Sequence, residues 1–192
     1  MNTAVTSAAQ ETKPTQWTID SAHSAAHFSV RHLMISNVRG EFTKVTGTAT
    51  IDPVNPAKSS VEITIDASSI NTREPQRDEH LKSPDFLDVA KHPTLTFRSK
   101  KVEPHGAENH KLTGDLTIRG VTKEVTFDVE GPTPAVKDPW GNLRAGISAT
   151  AKINRKEFGV AFNALTETGG VMVGDEVKIT IEAELIQQKQ AA

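Results

Sequence analysis

The side chains best suited to acid–base or metal chemistry are the histidines. His23, His27 and His32 lie near the N-terminus, and His80 and His92 flank a charged stretch. His23 and His27 share parity if a strand begins that early, whereas His27 and His32 do not without a bulge. No HExxH pair occurs, and no acidic ligands stand at a fixed spacing beside these residues. Their expected role is hydrogen bonding at strand ends and turns. A zinc or iron centre built on His23, His27 or His80, serving a metal-assisted hydrolase, is the enzymatic alternative. Asp78, His80 and Ser83 contain the residue types of a nucleophilic triad. Sequence neighbours rarely form one, however, and no GxSxG elbow presents a serine. Asp85 and Asp88 fit a cap and a solvated turn better than an acid–base pair. Gly169-Gly170 is too short for a phosphate loop and reads as a loosened surface loop before Val171. No catalytic residue, metal site or cofactor is predicted.

The densest charged run is Arg73-Glu74-Pro75-Gln76-Arg77-Asp78-Glu79-His80. Its plain reading is a solvated helix face with like charges at i,i+4. As a site, Arg73 or Arg77 could meet a phosphate or carboxylate. The run sits between two strand-like stretches, where a rim would be. Thr72 is a candidate cap for a first short helix. Ser83-Pro84-Asp85 is a candidate start for a second, ended by Pro93.

The elements around these residues repeat with a period of two. Every second residue from Leu143 to Ile153 is apolar: Leu143, Ala145, Ile147, Ala149, Ala151 and Ile153. The same alternation runs through Val45–Ile51, Val61–Ala67, Leu95–Phe97, Leu112–Ile118, Val121–Val129 and Val177–Leu185. Each such stretch predicts a strand with one buried and one wet face. With Trp17–Ile19 and Ala26–Val30 the count is roughly eight or nine strands, which suits a sandwich or barrel. Arg119-Gly120-Val121 predicts a hairpin turn, and residues 132–141 a proline-rich loop around Trp140. The inward stripes are small at Gly47, Ala49, Gly114, Ala149 and Ala151. A core packed shut needs large residues there, so either the barrel holds an open tunnel or these positions are bends filled from the opposite wall. A strand from Leu143 to Asn154 would extend roughly 36–40 Å, or about 28–30 Å along a barrel axis at the usual tilt.

Composition narrows the classes further. The 192 residues carry 22 Lys+Arg against 24 Asp+Glu, a net charge of -2, and no cysteine. Thiolate chemistry and disulfides are thereby excluded. No basic block offers a footprint for nucleic acid, and no apolar run is long enough for a membrane-spanning helix. The expected organisation is an N-terminal arm over residues 1–15, a single β domain over residues 16–187 and a tail over residues 188–192. No secretory leader is read at the start, so the expected compartment is the cytoplasm, with the periplasm or the exterior as the alternative if a leader has been removed.

These segments together resemble the YceI-like family of lipocalin-like polyisoprenoid-binding proteins. The resemblance opens with Trp17-Thr18-Ile19-Asp20, His23-Ser24 and Phe28-Ser29-Val30-Arg31-His32, then Val38-Arg39-Gly40-Glu41-Phe42. It continues through Ile70-Asn71-Thr72, Arg77-Asp78-Glu79-His80-Leu81 and Ser83-Pro84-Asp85-Phe86-Leu87-Asp88. Gly114–Thr122, Ile153-Asn154-Arg155, Glu157-Phe158-Gly159 and Val173-Gly174-Asp175-Glu176-Val177 complete it. The match covers Gln16 to Leu185, and the order of the pieces is more specific than any one of them. The resemblance implies an extended eight-stranded antiparallel β-barrel, lipocalin-like, with one or two short helices at the rim. It also implies a long-chain isoprenoid or fatty lipid inside, and a homodimer. Phe28, Val30, Phe42, Phe86, Phe97, Ile118, Phe127, Ile153, Phe158 and Phe162 are the wall candidates, with Ala149 setting tunnel length. His32, Arg73, Arg77 and His80 are the rim candidates for a head group. The alternative to a carrier, besides the hydrolase, is a closed, ligand-free interaction or stress-response module.

Overall fold

The computed structural model describes residues 13–106, 108–164 and 171–189. The readings of residues 1–12 as an arm, of Gly169-Gly170 as a loop and of residues 190–192 as tail lie outside the described residues. The strands are β1 (Thr15–Ile19), β2 (Ala25–His32), β3 (Ser36–Phe42), β4 (Val45–Ile51), β5 (Ser60–Asp66) and β6 (Ile70–Asn71). They continue as β7 (Thr94–Pro104), β8 (Asn109–Ile118), β9 (Val121–Glu130), β10 (Val136–Lys137), β11 (Leu143–Asn154) and β12 (Val173–Gln187). One α-helix, α1 (Pro75–Lys82), lies between β6 and β7.

Antiparallel pairing runs β11-β9-β8-β7-β5-β4-β1-β12, and β12 pairs back onto β11 from Asn154↔Glu176 to Arg144↔Ile186. Eight strands thus close into one barrel with no free edge in the ring. The long β12 serves two neighbours on its other side. Its end pairs with β1 through Leu185–Gln187, and its beginning with β2 through Val173–Glu182. Beside β2 lie β3 and then β6, so the wall extends past β1 toward α1. The seam between β9 and β11 is short, with Glu130, Val129 and Asp128 opposite Ser148, Ala149 and Thr150.

The turns follow their residues. Arg119 (φ 51°) and Gly120 (φ 73°) make the predicted tight hairpin between β8 and β9, where positive φ at both positions matches strand twist. Thr72 does not cap α1. Glu74 does, its carboxylate accepting from the Gln76 N–H, and Pro75 occupies the first turn because its missing N–H is no loss there. The second expected helix is absent: residues 83–91 form successive turns. Ser83 instead closes α1, and its hydroxyl donates to the His80 carbonyl.

The core lies inside the barrel, with Trp17, Ile19, Val45, Leu95, Phe97, Leu116, Phe127, Ala149 and Leu185 all buried. Leu143, read as the first inward residue of its stripe, is exposed at the strand end. The glycines do not open the interior. A Cβ on Gly47 would run into the Glu62 carbonyl and lie 3.0 Å from Ile19 Cδ1, and one on Gly114 would lie 2.7 Å from Phe97 Cζ. Both positions are small so that a neighbouring strand and a large side chain can approach, the filled-from-opposite reading.

Candidate functional site: the barrel interior

Strand parity turns one stripe of each of the eight barrel strands toward a common cavity of ≈ 540 Å³. That volume lies within the range of ligand pockets and far above a packing void. Its wall is almost wholly aliphatic and aromatic, running from Pro53, Pro56 and Pro132 at one end to Leu81, Leu87, Val160 and Val173 at the other. Of the wall candidates, Phe28, Val30, Phe42, Phe86, Phe97, Ile118, Phe127, Ile153 and Phe158 line it, as does Ala149. Ala49 lines it too, whereas Ala151 is buried without reaching it. Phe97 meets Phe127 edge-on at 5.2 Å, and Phe28 meets Phe42 at 5.8 Å, arrangements favoured by the ring quadrupoles. Gly40 makes room for the first of these rings: a Cβ there would sit 2.5 Å from Phe28 Cζ.

Phe162 stands at the α1 end rather than on the wall. It packs edge-on against His80 at 5.0 Å and at a tilt against Phe86 at 5.1 Å, while His80 also meets Phe86 edge-on at 5.0 Å. His80 Nε2 lies 2.9 Å from Asp85 Oδ2. The other rim candidates separate. Arg77 is turned onto its own chain, donating from Nε to the Thr72 hydroxyl at 2.8 Å and from Nη2 to the Thr72 carbonyl at 2.9 Å. Arg73 is exposed, and His32 sits opposite Val173 at the end of β2; neither lines the cavity.

The suggested catalytic groupings do not assemble. Asp78 accepts from the backbone and hydroxyl of Thr72, Ser83 bonds the His80 carbonyl, and Asp88 pairs with Lys91. His23, His27 and His80 have separate partners, Asp20, Glu41 and Asp85. Asp20, His23 and Glu184 come within metal-ligating distance of one another, but the Arg144 guanidinium already lies between the two carboxylates, 2.6 Å from Asp20 and 2.5 Å from Glu184.

Two arginines escaped the reading of the sequence. Arg155 is buried just past β11, and donates to the carbonyls of Gly174, Val160, Phe162 and Val173. Burial lowers its pKa, and Asp175 at 3.6 Å opposes that shift. At the opposite end, Arg144 joins Asp138, Asp20 and Glu184. Its hydrogen bonds hold Asp138 well below the ordinary carboxylate range and, with His23, lower Asp20 to about 2. Arg155 stood in the Ile153-Asn154-Arg155 piece of the resemblance and as a cation between two apolar residues, Ile153 and Phe158, but neither gave it a role. For Arg144 there was no signal, since its partners come from distant strands.

Fold and interior define the class: a closed antiparallel barrel around an elongated apolar cavity. The family model for the YceI-like domain matches residues 17–185, and the chain belongs to that family. A UPF0312 protein of Staphylococcus aureus (strain bovine RF122 / ET3-1) is 42% identical over 170 residues, covering 88% of this chain and 96% of that protein. Among solved structures, BcnA of Burkholderia cenocepacia superposes with a TM-score of 0.74 at 25% identity, over 86% of this chain and 98% of that one. The YceI protein of Campylobacter jejuni gives a TM-score of 0.70 at 35% identity, over 83% and 90%. A polyisoprenoid binding domain from Saccharophagus degradans shares the fold, with a TM-score of 0.65 at 12% identity over 90% and 98%.

Proposed function

We propose that the protein holds a long-chain apolar ligand, a polyisoprenoid or related lipid, inside the barrel, and sequesters or carries it rather than transforming it. The observation that carries this reading is the ≈ 540 Å³ interior, whose wall offers almost no polar group along its length. An isoprenoid tail loses about 0.8 kcal/mol of unfavourable hydration per buried methylene. A wall without polar groups gains that energy without leaving donors or acceptors unpaired. The polyisoprenoid binding domain with the same fold supports the ligand class. A ligand-free interaction module would need no such space. Selection among ligands falls to tunnel length and width, because an apolar wall separates similar chains poorly. At the α1 end, our candidate for meeting a head group is the half-exposed His80 with Asp85, Phe86 and Phe162.

The test is organic extraction of natively purified protein followed by mass spectrometry, with native mass spectrometry for stoichiometry. One long-chain lipid per barrel is expected. No bound lipid, together with no uptake of added isoprenoids, would overturn the reading.

A further inference from the structure

The hairpin joining β2 to β3 ends in Leu33-Met34-Ile35, exposed by 39%, 56% and 78%. Three large apolar residues in a row at a hairpin tip are unusual enough to need a reason. The backbone makes them more so: Leu33 (φ 49°) and Met34 (φ 59°) occupy left-handed positions where asparagine and glycine are the ordinary residues. Folding alone would favour small or polar residues here. The tip also stands at the α1 end of the barrel. The Leu33 N–H donates to the Met172 carbonyl at 2.8 Å, beside exposed Val171 and beside Val173 of the cavity wall.

Behind the tip, the outer face carries cations among paired carboxylates. Phe28, Val30 and Phe42 point inward, so Arg31 and Arg39 face out, and both are exposed. Arg39 and Lys178 flank Ser29 in one register row. Among the described residues, no carboxylate lies within salt-bridge distance of Arg31, Arg39 or Lys178. The nearby Glu41, Glu176 and Asp175 pair with His27, Lys152 and Lys156. At strand rise, Arg31 lies about 7 Å from Leu33 and Arg39 about 13 Å from Ile35. An apolar tip followed by unpaired cations about 7 to 13 Å behind it matches the order of an anionic bilayer surface, apolar boundary beneath anionic head groups.

We infer that the β2–β3 tip docks this protein on an anionic lipid bilayer, with Leu33, Met34 and Ile35 entering the head-group boundary and Arg31, Arg39 and Lys178 meeting the lipid phosphates. Docking places the α1 end of the barrel against the membrane. The inference stands on the outer surface, and needs no particular cargo.

The test is co-sedimentation of the full chain with phosphatidylcholine vesicles, with and without phosphatidylglycerol. Binding is expected to vesicles containing phosphatidylglycerol, and to weaken with salt. Ile35→Asp should lower it about tenfold or more, and Arg39→Gln roughly fivefold, the effect of one cation near an anionic surface. Met34→Gly separates docking from folding: it should weaken binding while leaving the melting temperature equal or higher, because glycine takes positive φ freely. No binding of the wild type to anionic vesicles, or binding unchanged in Ile35→Asp and Met34→Gly, overturns the inference. So does a wild-type dimer that Ile35→Asp converts to monomer without any vesicle binding, which would make the tip a contact between copies. Vesicle binding and extracted lipid are separate readouts, so failure of one leaves the other standing.

Discussion

Arg144 and Asp20 lie 124 residues apart in the chain, yet Arg144 Nη1 donates to an Asp20 carboxylate oxygen at 2.6 Å. The same guanidinium reaches Asp138 at 2.8 Å and Glu184 at 2.5 Å. One cation therefore ties the turn after β1, the loop before β11 and the end of β12 together, at the end of the barrel away from α1.

This network predicts an acid response. The Asp20 pKa is lowered to about 2, first by Arg144 and then by His23. A group depressed on folding contributes stability above its unfolded pKa of about 4, and that contribution is lost as pH falls through the folded value. Unfolding midpoints in urea should therefore fall between about pH 4 and pH 2. Arg144→Met should be less stable at neutral pH and show a flatter fall over that window. A wild type with no pH dependence there would refute the role of the network.

Ala149 lines the cavity beside Val129 on the paired strand. Ala149→Phe should shorten the usable tunnel, and overpacking should destabilise the fold by about 1–3 kcal/mol. In a series of isoprenoids, the longest should lose affinity first. Equal loss at every chain length would mean that the side chain perturbs the whole barrel rather than blocking it.

Two strand glycines should respond in opposite directions. Gly47→Ala pushes into the Glu62 backbone, and should cost about 1–3 kcal/mol by displacing β4 from β5. At Gly146 the added methyl would meet only Thr133, at 3.6 Å. There the substitution should be neutral, or stabilise by about 0.4–1 kcal/mol through the unfolded chain. Thermal unfolding of the pair decides it.

Arg155→Lys keeps a charge but lacks the planar fork that reaches four carbonyls. Leaving buried acceptors unpaired should cost roughly 3 kcal/mol. Hydrogen exchange should rise locally at Val160, Phe162, Val173 and Gly174. Unchanged protection there would show that the loop holds without the arginine.

The alternation in Val177–Leu185 and Leu143–Ile153 was enough to determine strands, their inward faces and an all-β class, because side-chain direction in a strand depends only on residue parity. Turn chemistry determined the Arg119-Gly120 hairpin in the same local way, whereas the start of α1, expected at Thr72, lies at Pro75. What needed the tertiary structure was everything set by neighbours across strands. Gly47 and Gly114 looked like openings in the wall, and only the approach of Ile19 and Phe97 reveals them as close contacts. Arg77, a candidate for a head group, is held by Thr72 because α1 begins at Pro75 rather than near Thr72. Arg144 and Arg155 gained their roles from carboxylates and carbonyls brought in by barrel closure. Parity is a property of one strand, legible residue by residue. Closure, register and cavity volume are properties of eight strands together, and only the folded chain sets them.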